Sequence, residues 1–242
     1  MTIILDMGGV LMKHNMPECI KRFQAMLGTR VMQNVLGLAT NGEGLEDSLM
    51  EQYEKGLVST DEFISTILQY AAQDTTREEV IAAWNAMHGG IPAERLALVN
   101  QWKQQGHRIF LLSNNNDLHW QDIHQFYDMS VFEHCFASHL LHMSKPALNI
   151  YEAVDAQLKQ WGCEEPFHFV DDIAINRHVA EILNWVTYPD LDSLNSSEAF
   201  TKHKKSNLLG CFFYCCRGRS LTSNLSPLTS HLSPTSDICL ST

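Results

Sequence analysis

Four short segments, in a particular order, constrain what this chain can fold into. They are ILDMGGVL at 4–11, FLLSNNN at 110–116, SKP at 144–146 and FHFVDD at 167–172. In the first, second and fourth, a polar group stands directly after an apolar run, where a buried parallel strand would end. Because ligands of open α/β sheets bind at those carboxyl ends, the segments predict a shared crevice. The polar residues that would meet there are Asp6, Ser113, Lys145, Asp171 and Asp172.

Strand-like and helix-like segments alternate along most of the chain. The strand candidates lie at 3–5, 108–112, 135–138, 167–170 and 184–188. A long stretch with helical spacing, from about 17 to 87, follows the first of them. This alternation predicts an α/β fold, with a Rossmann-like parallel sheet and helices on both of its faces.

The long helical stretch and the composition of the last residues predict three regions. The stretch exceeds a simple crossover between two strands, so we interpret it as a small all-helical cap inserted after the first strand. The predicted regions are an α/β core at 1–13 and 89–200, a helical cap at 14–88 and a tail at 201–242. The tail is a low-complexity mixture of Ser, Thr and Pro. We predict that it is disordered, because such a composition buries too little apolar surface to fold.

Composition narrows the classes of function. The chain has 242 residues, of which 45% are hydrophobic, so it can bury a sizeable core. Its net charge of −11 argues against nucleic acid as a partner, since phosphate backbones need a basic surface. A phosphorylated small molecule is still allowed, because only the local field of its pocket must be positive. No apolar run approaches the roughly 18 residues of a membrane helix and no signal peptide is indicated, so we predict no membrane contact and a cytoplasmic location.

The seven cysteines match neither a disulfide framework nor a zinc site. No two of them form a CxxC pair, and an odd number argues against complete pairing. We therefore expect reduced thiols.

Each polar residue taken alone has a plain structural explanation. An Asp or a Ser-Asn pair after a strand is often a helix cap, and a Lys-Pro pair often starts a helix with its ammonium in water. The adjacent Asp171 and Asp172 are harder to explain in this way, because burying two carboxylates without a cation is costly. The four segments together therefore favour a phosphate and metal site.

The same segments carry a family resemblance. DMGGVL, LLSNNN, SKPALNIYEA and FVDDIAIN, with a helical block after the first, resemble the haloacid dehalogenase superfamily of phosphohydrolases. The likeness is greatest to subfamily IA and to its sugar-phosphate members of the glucose-1-phosphate phosphatase type. YEKGLVSTDEF and AAWNAMHGGIP in the helical block also resemble the small cap of that group. The match covers about residues 1–194.

The resemblance implies a role for each residue of the four segments. Asp6 would be the nucleophile that attacks phosphorus and becomes an aspartyl phosphate. Ser113 and the backbone N–H of Asn114 would hold a phosphate oxygen, while Lys145 would neutralise the transferring group and keep Asp6 ionised. The implied Mg²⁺ site comprises Asp6, the carbonyl of Gly8 and Asp172, with support from Asp171 and Asn176.

The implied function is a Mg²⁺-dependent phosphohydrolase that acts on a small phosphorylated metabolite, with a sugar phosphate as the suggested class. The expected partner is therefore that metabolite, and the expected assembly is a monomer or a homodimer. The sequence does not select the substrate.

One residue departs from the pattern of the superfamily. Most members have a second Asp two positions after the nucleophile, which protonates the leaving group and later activates water, whereas this chain has Gly8. Losing such a group typically lowers the rate by about 10² to 10⁴. His14 is the nearest replacement in the sequence, although a His at such a junction is usually a surface residue.

Two alternative functions follow from this departure. The first is a phosphate- and metal-binding protein with weak or no turnover, because glycine cannot do acid or base chemistry. The second is a metal-free haloacid dehalogenase, which also lacks the second Asp. Asp171 and Asp172 argue against the dehalogenase, since a metal-free site has little use for a carboxylate pair that opposes an anionic substrate.

Overall fold

The structure of the protein is a computed structural model that describes residues 1–37 and 48–200. Within these ranges, five strands form one parallel sheet. The strands are β1 (Thr2–Leu5), β2 (Arg108–Ser113), β3 (His134–Ala137), β4 (His168–Val170) and β5 (Val186–Tyr188). Their order in the sheet is β3-β2-β1-β4-β5, so the chain winds outward from β1 in one direction and then in the other. The switch point, where ligands bind in doubly wound sheets, lies between β1 and β4.

The helices divide into those before β2 and those after it. Before β2 the structure has α1 (Met16–Leu27), α2 (Thr29–Val31), a π-helical turn (Met32–Leu36), α3 (Leu49–Glu54), α4 (Thr60–Leu68), α5 (Arg77–Asn85) and α6 (Ala93–Gln104). After β2 it has α7 (Asp117–Phe126), α8 (Ser138–Leu141), α9 (Leu148–Gln160), α10 (Ala174–Ile182) and α11 (Leu191–Asn195). None of the helices in the described ranges is long and apolar enough to cross a membrane.

Alternate residues of the strands face two different hydrophobic clusters, as the two-residue period of a strand requires. Leu5 and its neighbour Leu111 on β2 pack with α6, α7 and α11 on one face. Ile4 and its neighbour Phe110 pack with α9 and α10 on the other. Both faces of the sheet are therefore covered by helices, and the predicted parallel α/β fold is confirmed.

The five helices α1 to α5, here called the helical insertion, have a hydrophobic cluster of their own. Its centre is aromatic: the rings of Tyr53 and Phe63 stack at 4.2 Å, and Phe63 meets Trp84 edge-on at 4.9 Å. Two capping boxes, at Ser59 and Thr76, fix the first turns of α4 and α5. Packing rather than helix propensity holds these short helices in place.

A short two-stranded ribbon joins the helical insertion to the sheet. The Lys13 N–H donates to the Gly90 carbonyl (3.0 Å), the Gly89 N–H donates to the Lys13 carbonyl (2.7 Å), and the Asn15 N–H donates to the Met87 carbonyl (2.7 Å). These bonds link residues 13–15 to residues 87–90, the two points where the chain enters and leaves the insertion. The core and cap boundaries given above stay a prediction, and the described residues belong to one compact unit. The predicted tail, 201–242, lies outside the described residues.

Candidate active site

The centre of the site is Asp6, the first residue after β1. Its backbone N–H donates to the Val170 carbonyl (2.9 Å), which continues the pairing of β1 with β4 by one residue. Its carboxylate accepts a hydrogen bond from the Met7 N–H (2.7 Å) and is only 6% exposed. Asp6 therefore stands at the switch point of the sheet with its side chain held by the turn that follows.

Lys145 lies between two carboxylates. Its ammonium is 2.9 Å from an oxygen of Asp6 and 2.6 Å from an oxygen of Asp171, and all three side chains are buried. Burial by itself would lower the pKa of Lys145, but the charges of Asp6 and Asp171 outweigh it and raise that pKa. Lys145 is therefore a permanent cation in this crevice.

The same three charges set the ionisation of Asp6. Burial raises the pKa of Asp6 to about 7, with a contribution from the charge of Asp171, while Lys145 opposes the rise. One ammonium thus does not fully compensate two buried carboxylates. Further positive charge at this point would lower the pKa of Asp6 and favour its ionised form.

Asp171 and Asp172, which follow β4, have different surroundings. Asp171 is fully buried, and its oxygens accept hydrogen bonds from Lys145 (2.6 Å), from the Ile173 N–H (2.8 Å) and from the amide of Asn176 (3.0 and 3.1 Å). Asp172 is exposed to the crevice, and burial together with the charge of Asp171 raises its pKa. Asp171 is thus saturated with donors, whereas the carboxylate of Asp172 remains available to a ligand.

Three carboxylates of this site fit a divalent cation. Oxygens of Asp6, Asp171 and Asp172 lie within 4.8 Å of one another, and no other such group occurs in the described ranges. Oxygen ligands at about 2.0–2.1 Å from Mg²⁺ are separated by less than this distance, so the three oxygens can reach one ion. The raised pKa values of Asp6 and Asp172 are what uncompensated carboxylates in such a site would show.

Ser113 and Asn114 complete the site at the end of β2. The hydroxyl of Ser113 is buried and donates weakly to the Asn114 carbonyl at 3.2 Å. The side chain of Asn114 exchanges two hydrogen bonds of 2.8 Å with the main chain of Lys145, as donor to its carbonyl and acceptor from its N–H. The structure therefore brings the ends of β1, β2 and β4 and the Lys145 loop together, and Gly8 lies in the turn that follows Asp6.

Comparisons with known proteins agree on a single superfamily. The chain is 29% identical over 198 residues to the sesquiterpene phosphatase astK of Aspergillus oryzae, covering 79% of this chain and 90% of the relative. It is 24% identical over 197 residues to the D-ribitol-5-phosphate phosphatase of Bacteroides thetaiotaomicron, covering 77% and 89%. A solved structure of the HAD family enzyme bt-2542 from Bacteroides thetaiotaomicron, in complex with magnesium and inorganic phosphate, matches with a TM-score of 0.65 and 29% identity over 77% of this chain and 92% of that chain. No protein-family model matches the chain.

The chain belongs to the haloacid dehalogenase superfamily of hydrolases. The predicted membership is thereby confirmed, whereas subfamily IA and a preference for glucose 1-phosphate stay predictions. In this chain the four ordered segments correspond to the ends of β1, β2 and β4 and to the loop before α9.

Two contacts that shape the site were not predicted from the sequence. One is the pairing of the Asn114 amide with the Lys145 main chain, for which only a backbone role of Asn114 was predicted. The other is Arg95, whose guanidinium donates to the carbonyls of Val10 (2.7 Å) and Leu11 (3.2 Å) and so holds the turn after Asp6. Neither contact has a signal in the sequence, because both join segments that are distant in the chain.

Proposed function

We propose that this protein is a Mg²⁺-dependent phosphohydrolase that removes phosphate from a small phosphorylated metabolite through an aspartyl phosphate on Asp6. The observation that carries the proposal is the contact of the Lys145 ammonium with Asp6 and Asp171, next to a third carboxylate, at the switch point of the sheet. A lone nucleophilic carboxylate would repel a phosphate dianion, so it needs cations beside it. The phosphatase activity of both curated relatives supports the same chemistry.

Asp6 is the nucleophile. Its carboxylate attacks phosphorus, the bond from phosphorus to the ester oxygen breaks, and the departing oxygen takes a proton from solvent and leaves as the alcohol. Water then attacks phosphorus of the aspartyl phosphate and gives up a proton to solvent, and the bond from phosphorus to the Asp6 oxygen breaks, which releases inorganic phosphate and regenerates the carboxylate. Lys145 stays within hydrogen-bonding distance of Asp6 and offsets negative charge on the transferring group. The hydroxyl of Ser113 and the backbone N–H of Asn114 hold a phosphate oxygen.

Asp6, Asp172 and the carbonyl of Gly8 would hold Mg²⁺, which neutralises phosphate charge when bound. The hydrogen bonds of Asp171 favour a supporting role for this residue, because both of its oxygens already accept from Lys145 or from Asn176. Asn176 in turn fixes the carboxylate plane of Asp171. The magnesium and phosphate bound to bt-2542 support this assignment.

The two alternative functions differ in what they require of the site. A binding protein without turnover needs the cation and the phosphate contacts but no group to assist the leaving oxygen. A metal-free dehalogenase has no use for the triad Asp6, Asp171 and Asp172, whose oxygens lie within 4.8 Å. No observation on the described residues favours the dehalogenase.

Release of phosphate from a panel of phosphate monoesters, measured with Mg²⁺ and with a chelator, tests the proposal. The panel should include an aryl, a sugar, a polyol and an isoprenoid phosphate. We expect turnover only with Mg²⁺, and we expect Asp6→Asn to abolish it while inorganic phosphate still binds in calorimetry. Asp74→Asn, at an exposed position in the helical insertion, is the matched control and should keep full activity.

Three results would contradict the proposal in different ways. Substantial turnover by Asp6→Asn would show that Asp6 is not the nucleophile. Binding of Mg²⁺ and phosphate by a wild-type protein that hydrolyses nothing in the panel would indicate the binding protein. Chloride release from a haloacid without added metal would indicate the dehalogenase.

A further inference from the structure

The imidazole of His14 lies directly over Gly8. A Cβ atom added to Gly8 would collide with Nε2 of His14, and it would stand 2.6 Å from Cε1 and 3.3 Å from Cδ2 of the same ring. The backbone of Gly8 does not require glycine, because its φ is outside the left-handed region, in contrast to that of Gly9 (φ 72°). The absence of a side chain at position 8 is thus explained by the ring of His14, which fills that space.

The backbone of His14 is fixed in a short ribbon. His14 pairs in antiparallel fashion with His88 in the ribbon between residues 13–15 and 87–90. That ribbon is tight, since a Cβ on Gly89 would lie 2.7 Å from the Lys13 carbonyl oxygen. The side chain of His88 is itself fixed by a contact of 2.7 Å with Asp122. The ribbon therefore fixes the backbone from which the His14 side chain extends over Gly8.

The ring also faces the crevice and is open to a ligand. His14 is exposed, and it lies near enough to Asp172 for their charges to interact. Among the described residues its ring nitrogens form no hydrogen bond, whereas two of the three Lys145 donors face carboxylates and the Asn114 side-chain amide bonds the Lys145 carbonyl. His14 is thus a polar side chain beside the nucleophile with a donor free for substrate.

Hydrolysis of a phosphate monoester also requires stabilisation of the leaving oxygen, and none of the residues assigned so far provides it. When the bond from phosphorus to the ester oxygen breaks, negative charge develops on the departing oxygen, and a hydrogen-bond donor placed there lowers the barrier. Lys145 is assigned to the transferring phosphoryl group and has two of its three donors on carboxylates, and Asp172 offers only an acceptor when it is ionised.

We propose that His14 contacts the leaving group of the substrate, and that its Nε2–H donates a hydrogen bond to the departing oxygen from the space above Gly8. This role rests on the proposed function. It requires only an Nε2–H, which both the imidazolium and one neutral tautomer provide. His14 and Gly8 are then a complementary pair, in which the ring serves the leaving group and the glycine makes room for the ring.

Turnover of two substrates by two variants tests the role of His14. The substrates are 4-nitrophenyl phosphate, whose leaving oxygen needs little stabilisation, and an alkyl phosphate that the wild type hydrolyses. We expect His14→Ala to lower kcat for the alkyl phosphate by about 10²-fold and to change kcat for the aryl phosphate by only a small factor. His14→Gln, which keeps an N–H near the same position, should recover part of the loss. His178→Ala, at a histidine whose side chain is 75% exposed on α10, is the control.

A stability measurement tests the packing without any turnover. Gly8→Ala should lower the melting temperature of the wild type, because its methyl group collides with the His14 ring. The same change should cost much less in the His14→Ala background. A double-mutant cycle of Tm in the absence of Mg²⁺ reports this coupling, and additive effects would overturn the assigned position of the ring.

The results separate failure of this inference from failure of the proposed function. Suppose that Asp6→Asn abolishes turnover while His14→Ala lowers kcat equally for both substrates, or for neither. His14 then does not contact the leaving group, and the proposed function stands. If the wild type shows no Mg²⁺-dependent turnover at all, the proposed function fails, and this role of His14 fails with it.

Discussion

The side-chain amide of Asn114 holds the main chain of Lys145 by two hydrogen bonds of 2.8 Å, one in each direction. The loop that carries Lys145 is thereby attached to the end of β2, and its ammonium reaches the two carboxylates from a fixed backbone. The position of Lys145 does not depend on its ion pairs alone. The residue after Ser113 therefore acts on the site in two ways, through its side chain toward Lys145 and through its N–H toward the proposed phosphate.

This pairing predicts the effect of Asn114→Ala. The substitution leaves the backbone N–H of residue 114 in place but removes both hydrogen bonds to Lys145, so we expect kcat to fall by about 10- to 100-fold. The melting temperature should fall by only a few degrees. Asn100→Ala, which removes a single bond from an exposed amide to the Leu96 carbonyl, should leave kcat unchanged. Equal kcat values for the two variants would show that Lys145 needs no anchor from Asn114.

Lys145→Met should destabilise the metal-free protein strongly. Methionine nearly preserves the volume but leaves Asp6 and Asp171 buried without their cation, which costs about 3–5 kcal/mol of unfolding free energy. Lys159→Met removes a lysine that pairs with Asp155 and Glu165 at the surface, and it should change stability little. Urea denaturation at pH 8 without divalent cations compares the two. Similar small losses would contradict the buried ion cluster.

Asp172→Asn should separate metal binding from stability. Burial and the charge of Asp171 raise the pKa of Asp172, so its carboxylate is a destabilising charge in the metal-free protein. We expect the variant to be at least as stable as the wild type without Mg²⁺ and to lose most of the rise in Tm that Mg²⁺ produces. Thermal unfolding at a series of Mg²⁺ concentrations measures both effects. An undiminished Mg²⁺ response would remove Asp172 from the cation site.

The parts of the fold and site that could be predicted depend on local pattern. Apolar runs ending in polar residues located β1, β2 and β4 within about one residue, and the topology of a parallel sheet then placed Asp6, Ser113 and Asp171 at one edge. The partners of those residues could not be predicted in this way. Contacts such as that of Arg95 with the turn after Asp6 join positions more than 80 residues apart, and no periodicity records them.

The surroundings of Gly8 also could not be predicted from the sequence. In the sequence, Gly8 indicates only a missing catalytic group. The structure adds a second explanation, since the φ of Gly8 is outside the left-handed region and the ring of His14 occupies the space that a side chain would need. That explanation depends on the ribbon between residues 13–15 and 87–90, which joins segments that are distant in the chain.

Phe200 is a core residue at the end of the described chain. It is fully buried, and its ring lies 5.3 Å from Trp102 and 4.8 Å from His107. Phe200→Ala should cost about 3–5 kcal/mol of unfolding free energy, since it leaves a cavity beside α6. Phe126→Ala, at a ring that is 65% exposed, should cost about 0.5 kcal/mol or less. Denaturant unfolding compares the two, and equal costs would show that Phe200 does not belong to the core.

Glu54, at the end of α3, should make the stability of the protein depend on pH. Burial, and to a smaller extent the charge of Glu51, raises the pKa of Glu54 to about 7. Between about pH 4.5 and 7 the unfolded chain loses this proton while the folded protein keeps it, so the contribution of Glu54 to stability falls as pH rises and stays low above pH 7. Glutamine resembles the protonated form and does not titrate.

We therefore expect Glu54→Gln to be as stable as the wild type at pH 4 and more stable at pH 8, by about 2 kcal/mol. Glu152→Gln, at an exposed position of α9, should show no such difference between the two pH values. Urea denaturation of the three proteins at both pH values measures the effect. If the gain at pH 8 is absent, the carboxylate of Glu54 is hydrated or paired with a cation in the folded protein. If the gain is already present at pH 4, it does not come from the titration of Glu54. A hydrated carboxylate would mean that water reaches the contact between α3 and α8, where the Glu54 carbonyl accepts a hydrogen bond from Ser138.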